Sequence, residues 1–145
     1  MTNQTACELC NQPGGELVYR HEKFRVVLID DPQYPGFCRV IWNDHVKEMT
    51  DLPASDRVLL MTAVWQVEAA VREALRPDKM NIACLGNMVP HLHWHVIPRY
   101  ANDAHFPGPV WAQVQRTPAP AELEARTALL PQLRMSIARH MGQAL

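Results

Sequence analysis

Residues 91–96 read His-Leu-His-Trp-His-Val, a strict alternation of imidazole and apolar side chains. Successive side chains leave a β-strand on opposite faces, so the spacing predicts a strand with His91, His93 and His95 on one surface and Leu92, Trp94 and Val96 on the other. One face has a core to meet, and the other has imidazoles to use. At a rise of about 3.3 Å per residue, His91 and His95 stand roughly 13 Å apart along the backbone. A zinc ion holds nitrogen ligands at about 2.0–2.1 Å, so one ion takes a neighbouring pair and not all three. Three readings follow from the residues: a metal site on two of the rings, satisfied histidines on a half-buried strand, or nucleophilic catalysis. In the last, a neutral imidazole attacks phosphorus while a neighbouring ring holds or protonates a leaving oxygen.

The segments around this strand set its fold class. Leu17-Val18-Tyr19 and Phe24 to Ile29 are predicted as two short antiparallel strands, and Phe37 to Trp42 as a third after the turn signals Asp30-Asp31-Pro32 and Pro35-Gly36. Ser55 is a good N-cap for a helix predicted to reach Arg76, with Leu60, Val64, Val67, Val71 and Leu75 on one face and Pro77 just past its end. Lys79 to Leu85 and Leu92 to Pro98 form a predicted hairpin about Gly86-Asn87-Met88-Val89-Pro90. Leu133, Ile137 and Met141 predict a second, C-terminal helix that Pro131 starts or interrupts. The class is α+β: an antiparallel sheet of about five strands, one long helix packed on it, and a C-terminal helical tail. A single domain is expected over 1–145, with its core at about 7–110 and a helical extension at 111–145.

Charge and cysteine usage narrow the partners. Fourteen basic and fifteen acidic residues give a formal net charge of −1 without clustered Lys or Arg, so neither duplex nucleic acid nor an anionic membrane is an expected partner. The opening MTNQTACELC has no basic and apolar leader pattern, and no window holds about 18 apolar residues, so a soluble, cytoplasmic protein is expected. Cys38 and Cys84 lie in apolar runs and read as buried thiols, with no disulfide framework. Cys7-Glu8-Leu9-Cys10 has the spacing of half a zinc site, or is simply two reduced cysteines near a terminus. His21, His105 and His140 are expected at the surface.

With its flanks, the run His91-Leu92-His93-Trp94-His95-Val96-Ile97 resembles the signature of the histidine-triad (HIT) superfamily of nucleotide hydrolases and nucleotidyl transferases. The similarity takes in PGFCRVIWNDHVKEMTDL (35–52) and KMNIACLGNMVPHLHWHVIPR (79–99), and most of residues 7 to 100, whereas FPGPVW (106–111) looks like a subgroup feature. The resemblance implies that His93 is the nucleophile that becomes nucleotidylated. It also implies that the His91 carbonyl orients that ring and that His95 bonds phosphate or leaving group. Gly86 and Asn87 match the family's phosphate-binding turn, although turn chemistry alone also explains Asn87. Asn81 matches a second phosphate contact once a one-residue gap is allowed. Asp30 matches a ribose-binding position, with turn former as the other reading. Phe24, Val26 and Leu28 then belong to the core or to a base pocket.

Two positions depart from the pattern: Phe37 stands where the family usually has a fourth histidine, and Met88 where many members carry Ser or Thr. Both bear on rate and selectivity and leave the nucleophile in place. The resemblance implies a phosphoester or phosphoramidate hydrolase, or a nucleotidyl transferase, acting on a dinucleoside polyphosphate or nucleoside phosphoramidate and requiring no cofactor. A homodimer is the expected assembly. The superfamily's galactose-1-phosphate uridylyltransferase branch further implies a structural zinc on Cys7, Cys10, His45 and His91. The alternatives are a catalytically weak nucleotide-binding regulatory module and a zinc-stabilised interaction domain.

Overall fold

The computed structural model describes residues 4–144, with side chains from Thr5 to Gly142. Met1 to Asn3 and Leu145, included in the single-domain reading, lie outside the described residues. Five antiparallel strands form one sheet: β1 (Glu16–Arg20), β2 (Phe24–Leu28), β3 (Cys38–Trp42), β4 (Lys79–Ala83) and β5 (His93–Arg99), in the order β1-β2-β3-β5-β4. The first three strands make the expected meander. β5 inserts between β3 and β4, so both edges of its backbone are hydrogen-bonded and its side chains are held in fixed directions.

Register decides what each face buries. Val26 pairs with Val40, Val40 with Trp94, and Cys38 with Val96, which stacks the apolar sides of β2, β3 and β5 into one layer. The long helix α2 (Ala54–Leu75), numbered after the short α1 (Glu8–Asn11), covers that layer. Its buried residues are the five predicted ones together with Ala63 and Ala70, whose small side chains let helix and sheet approach closely. Phe24, Val26 and Leu28 all join this cluster, so the core reading holds for them. Truncating a fully buried leucine such as Leu60 to alanine is expected to cost about 2–5 kcal/mol.

The ends of α2 differ in detail from the expectation. Pro53, not Ser55, occupies the N-cap position, and its carbonyl accepts from the amides of Asp56 and Arg57 at 3.0 and 3.1 Å. Ser55 lies inside the first turn, where its hydroxyl caps nothing. At the other end Arg76 takes a left-handed φ of 48° before Pro77, which stops the helix. The turn before β3 requires Gly36: its φ is 92°, and a Cβ there would stand 2.2 Å from Leu75 Cδ1.

The C-terminal segment holds two helices, α3 (Pro120–Thr127) and α4 (Leu130–Ala144), where one was expected. α3 buries no side chain and so leaves no apolar periodicity to read. Pro131 starts α4 and does not break it, because an amide at the second helical position has no partner to lose. Leu133, Ile137 and Met141 are fully buried in the cluster that α2 shares. Other expectations are corrected. Cys38 is buried, but Cys84 is exposed because it lies beyond the end of β4. His21, His105 and His140 are each half-buried: His21 stacks on Phe24, His105 meets the Tyr34 hydroxyl, and His140 meets Glu73. Among the described residues, no helix is long and apolar enough to cross a membrane.

Candidate functional site

The face of β5 away from α2 carries His93, His95, Ile97 and Arg99. Ile41 and Arg39 of β3 stand opposite His93 and His95, and Ala83 of β4 flanks His95 on the other side. The predicted facing therefore holds for two of the three histidines. His91 precedes the strand, which begins at His93, and its ring turns toward the N-terminal segment.

His91 has separate tasks for ring and backbone. Its Nε2–H donates to the Trp42 carbonyl at 2.6 Å, which leaves the Nδ1 lone pair 3.4 Å from Cys7 Sγ and 3.5 Å from Cys10 Sγ. Its carbonyl oxygen accepts from Nδ1 of His93 at 2.5 Å. With that hydrogen committed, the lone pair of His93 sits on Nε2. Burial pushes the His93 pKa below its ordinary value, the His91 carbonyl pulls it up, and the Arg39 charge lowers it again. His93 is held as the neutral form, which is the nucleophilic one.

His95 lies inside a wall of rings, edge-on to His93 and Trp111 with centroids 5.0 Å away in each case, and to Phe37 at 5.7 Å. Its Nδ1 is buried and has no partner. Burial first, then electrostatic coupling to His93 and the Arg39 charge, bring its pKa down to about 4. At neutral pH it offers a hydrogen bond from a neutral ring. Phe37, at the position where the resemblance places a fourth histidine, packs with Tyr34 and Ile97 and supplies part of this wall.

The remaining predicted residues divide around this centre. Asn81 lies on β4 opposite Ile97, and its Oδ1 accepts from Arg99 Nη1 at 2.6 Å, so what it offers a ligand is its Nδ2 hydrogens. Gly86 has a φ of 76°, which a side chain would resist, and Asn87 beside it is exposed. Asp30 is exposed just past β2. The turn there is made by Asp31, whose Oδ1 accepts from the Gln33 amide at 2.9 Å, so the turn-former role falls on the neighbour. Met88 is 95% exposed and, with Cys7, His45, Val89 and Pro90, lines a cavity of about 350 Å³ on the cysteine side, away from His95.

Sequence reading missed Arg39, Arg99 and Trp111. Arg39 is the one residue of β3 that is not fully buried, its Nε has no partner, and it forms no ion pair with a described carboxylate. Parity along Phe37 to Trp42 was the available signal, because an arginine two residues from Ile41 shares the face of the histidines. Arg99 is almost completely buried and pairs with Asp103.

The second cluster joins Cys7, Cys10, His45 and His91, whose ligand atoms all lie within 4.8 Å of one another. Tetrahedral zinc with sulfur and nitrogen ligands holds its donor atoms roughly 3.3–3.8 Å apart. The two His91 contacts at 3.4 and 3.5 Å fall inside that shell, and the Cys10–His45 separation of 3.2 Å lies just short of it. The Trp42 carbonyl accepts from His91 Nε2 and so leaves its Nδ1 lone pair free for a metal, whereas the buried Nε2 of His45 has no equivalent partner. α1 places the cysteines here, and Arg25 ties α1 to the sheet by donating to the carbonyls of Leu9, Gln12 and Pro13.

A five-stranded antiparallel sheet with a long helix on one face and alternating histidines on the other defines a histidine-triad architecture. The model of the HIT domain family matches residues 12–102, and the chain belongs to that family. It is 31% identical over 98 residues to an AP-4-A phosphorylase of Mycobacterium tuberculosis, covering 63% of this chain and 47% of that protein. It is 27% identical over 110 residues to an asymmetrical bis(5'-nucleosyl)-tetraphosphatase of Schizosaccharomyces pombe, covering 72% and 60%. The chain thus spans about half the length of these two curated relatives. A histidine triad protein from Bradyrhizobium japonicum superposes with a TM-score of 0.68 at 33% identity, covering 84% of this chain and 91% of that one. A zinc-bound histidine triad family protein from Mycobacterium smegmatis gives 0.63 at 26%, covering 94% and 96%.

Proposed function

We propose that the protein is a nucleotide hydrolase or nucleotidyl transferase that works through a covalent intermediate on His93. The observation that carries this reading is the bond from His93 Nδ1 to the His91 carbonyl, which leaves Nε2 unprotonated on the face that β5 turns away from α2. Nε2 attacks the α-phosphorus of a nucleotide ester, forming an N–P bond as the bond to the leaving oxygen or nitrogen breaks with its electron pair. Water or another acceptor then attacks phosphorus, loses its proton to solvent, and the N–P electrons return to Nε2.

His95 donates a hydrogen bond to the leaving group, and the Gly86 and Asn87 amides with the Asn81 Nδ2 hold the phosphoryl oxygens. Arg39 adds positive charge on the same face, and Asp30 accepts from the ribose hydroxyls. The substrate class is a dinucleoside polyphosphate, which the names of the two curated relatives support, or a nucleoside phosphoramidate. Cys7, Cys10, His45 and His91 hold a structural zinc that anchors α1 and the entry to β5, a reading supported by the donor spacing and the zinc-bound relative. A cytoplasmic homodimer is part of the same proposal.

Mixing the protein with a substrate radiolabelled at the α-phosphate and quenching within one turnover tests it. Acid-labile label on the wild type, absent from His93→Ala, is the expected result. Turnover with no label on the protein would sink the covalent route.

A further inference from the structure

The segment Phe106 to Trp111 belongs to no strand or helix, and neither the nucleophile nor the cysteine cluster accounts for it. The structure nevertheless fastens it to the site. Arg99 donates to the Gly108 carbonyl at 2.7 Å while its other nitrogens bind Asp103 and Asn81, and the Ala112 amide closes a turn onto the Pro109 carbonyl at 2.9 Å. This bracing sets Trp111 edge-on to His95 yet leaves it 51% exposed. An indole held in place with half its surface open is a stacking platform beside the leaving-group histidine.

A cavity of about 330 Å³ opens between Trp111, Val110, Pro109 and the outer strand β4. Its floor includes Ile97 and Asn81, and Lys79 lies at its edge. Because Ala83, at one end of that floor, is the register partner of His95, the cavity begins where a departing group would leave the histidines. It presents an aromatic face, an amide donor and a cation. That chemistry suits a nucleoside carrying phosphates.

We infer that this cavity is a leaving-group subsite, and that its ligand is the second nucleotide of a dinucleoside polyphosphate, its base on Trp111 and its phosphates toward Asn81 and Lys79. The inference rests on the proposed function and chooses between its two substrate classes. As Nε2 of His93 bonds to the α-phosphorus, the bond to the bridging oxygen breaks, and the electron pair departs with the nucleotide held here as an anion. The amine of a simple phosphoramidate has no ring to stack on the indole.

The test compares diadenosine tetraphosphate with adenosine 5'-phosphoramidate in wild type, Trp111→Ala and Trp111→Phe. Both substrates use the same nucleophile and the same first nucleoside. In Trp111→Ala the ratio of kcat/KM for the tetraphosphate to that for the phosphoramidate should fall about tenfold or more, mainly through KM, and Trp111→Phe should recover most of it. An unchanged ratio, whether both rates fall together or neither falls, overturns the subsite. If the wild type turns over neither compound, the hydrolase reading fails separately, and indole fluorescence then decides the subsite. Diadenosine tetraphosphate should quench a component that Trp111→Phe lacks and that AMP does not quench, and identical quenching in wild type and Trp111→Phe rejects it.

Discussion

The carbonyl of His91 stands 2.5 Å from Nδ1 of His93, so the residue that orients the proposed nucleophile does so through its backbone, while its ring faces two sulfurs. Side-chain changes at the two positions should therefore part company. His93→Ala is expected to abolish labelling and to lower kcat by about a thousandfold or more. His91→Ala keeps the carbonyl and should still label, but loses the bond to the Trp42 carbonyl and unfolds at a lower temperature. Quench-flow labelling and a melting curve on each variant separate the two outcomes.

Of the histidines at 91, 93 and 95, His95 is the one whose titration is most displaced. The titratable and charged groups facing it are the neutral His93 on its own strand and the Arg39 guanidinium on β3, and the other walls are the rings of Phe37 and Trp111. Its pKa in the folded protein is about 4, against an ordinary value of 6.5. Between these values the unfolded chain binds a proton that the native state refuses, so the contribution of His95 to stability is intact above pH 6.5 and is lost as pH falls toward 4. Arg39→Met removes one source of the depression, and the His95 resonances in an NMR titration should move to a midpoint above 4. A midpoint unchanged from wild type would show that burial and His93 set it without Arg39.

How much of this could be read from the chain follows from what each signal depends on. Period-2 alternation placed His93 and His95 correctly because two neighbouring strands hold β5 on register. The same reasoning overextended to His91, since alternation does not say where a strand begins. The four residues of the cysteine cluster, drawn from the resemblance, do converge in space. Trp111 and Arg99 were not legible, because their roles depend on a loop whose course is set by long-range hydrogen bonds to β4 and β5 and not by local pattern.

The donor spacing at Cys7, Cys10, His45 and His91 leads to a metal prediction. Protein purified without a metal-affinity tag should carry about one zinc per chain. Cys10→Ser should lower that content, and a chelator should lower the melting temperature of the wild type more than that of the variant. Elemental analysis with thermal denaturation decides it. Zinc-free wild type with an unaltered melting temperature would leave the cluster as thiol–imidazole hydrogen bonds.

The side chains of Arg99 and Asp103 are 2% and 1% exposed and meet at 2.7 and 3.0 Å. Burial alone would raise the Asp103 pKa, but Arg99 and the amides of Tyr100, His105 and Phe106 outweigh it and hold the carboxyl well below the usual range. Such a carboxylate contributes stability above its unfolded pKa, near 4, and the contribution is lost as pH falls below that. Arg99→Met strands the carboxylate without its cation, which is expected to cost about 3–5 kcal/mol at neutral pH. It also raises the Asp103 pKa, so the acid unfolding transition should move to a milder pH than in wild type. Asp103→Asn in the Arg99→Met background removes the stranded charge and should recover part of the loss. Urea unfolding at pH 7 and melting curves from pH 3 to 7 on the three proteins test this, and a double variant no more stable than Arg99→Met would show that the loss comes from packing around the guanidinium and not from the buried charge.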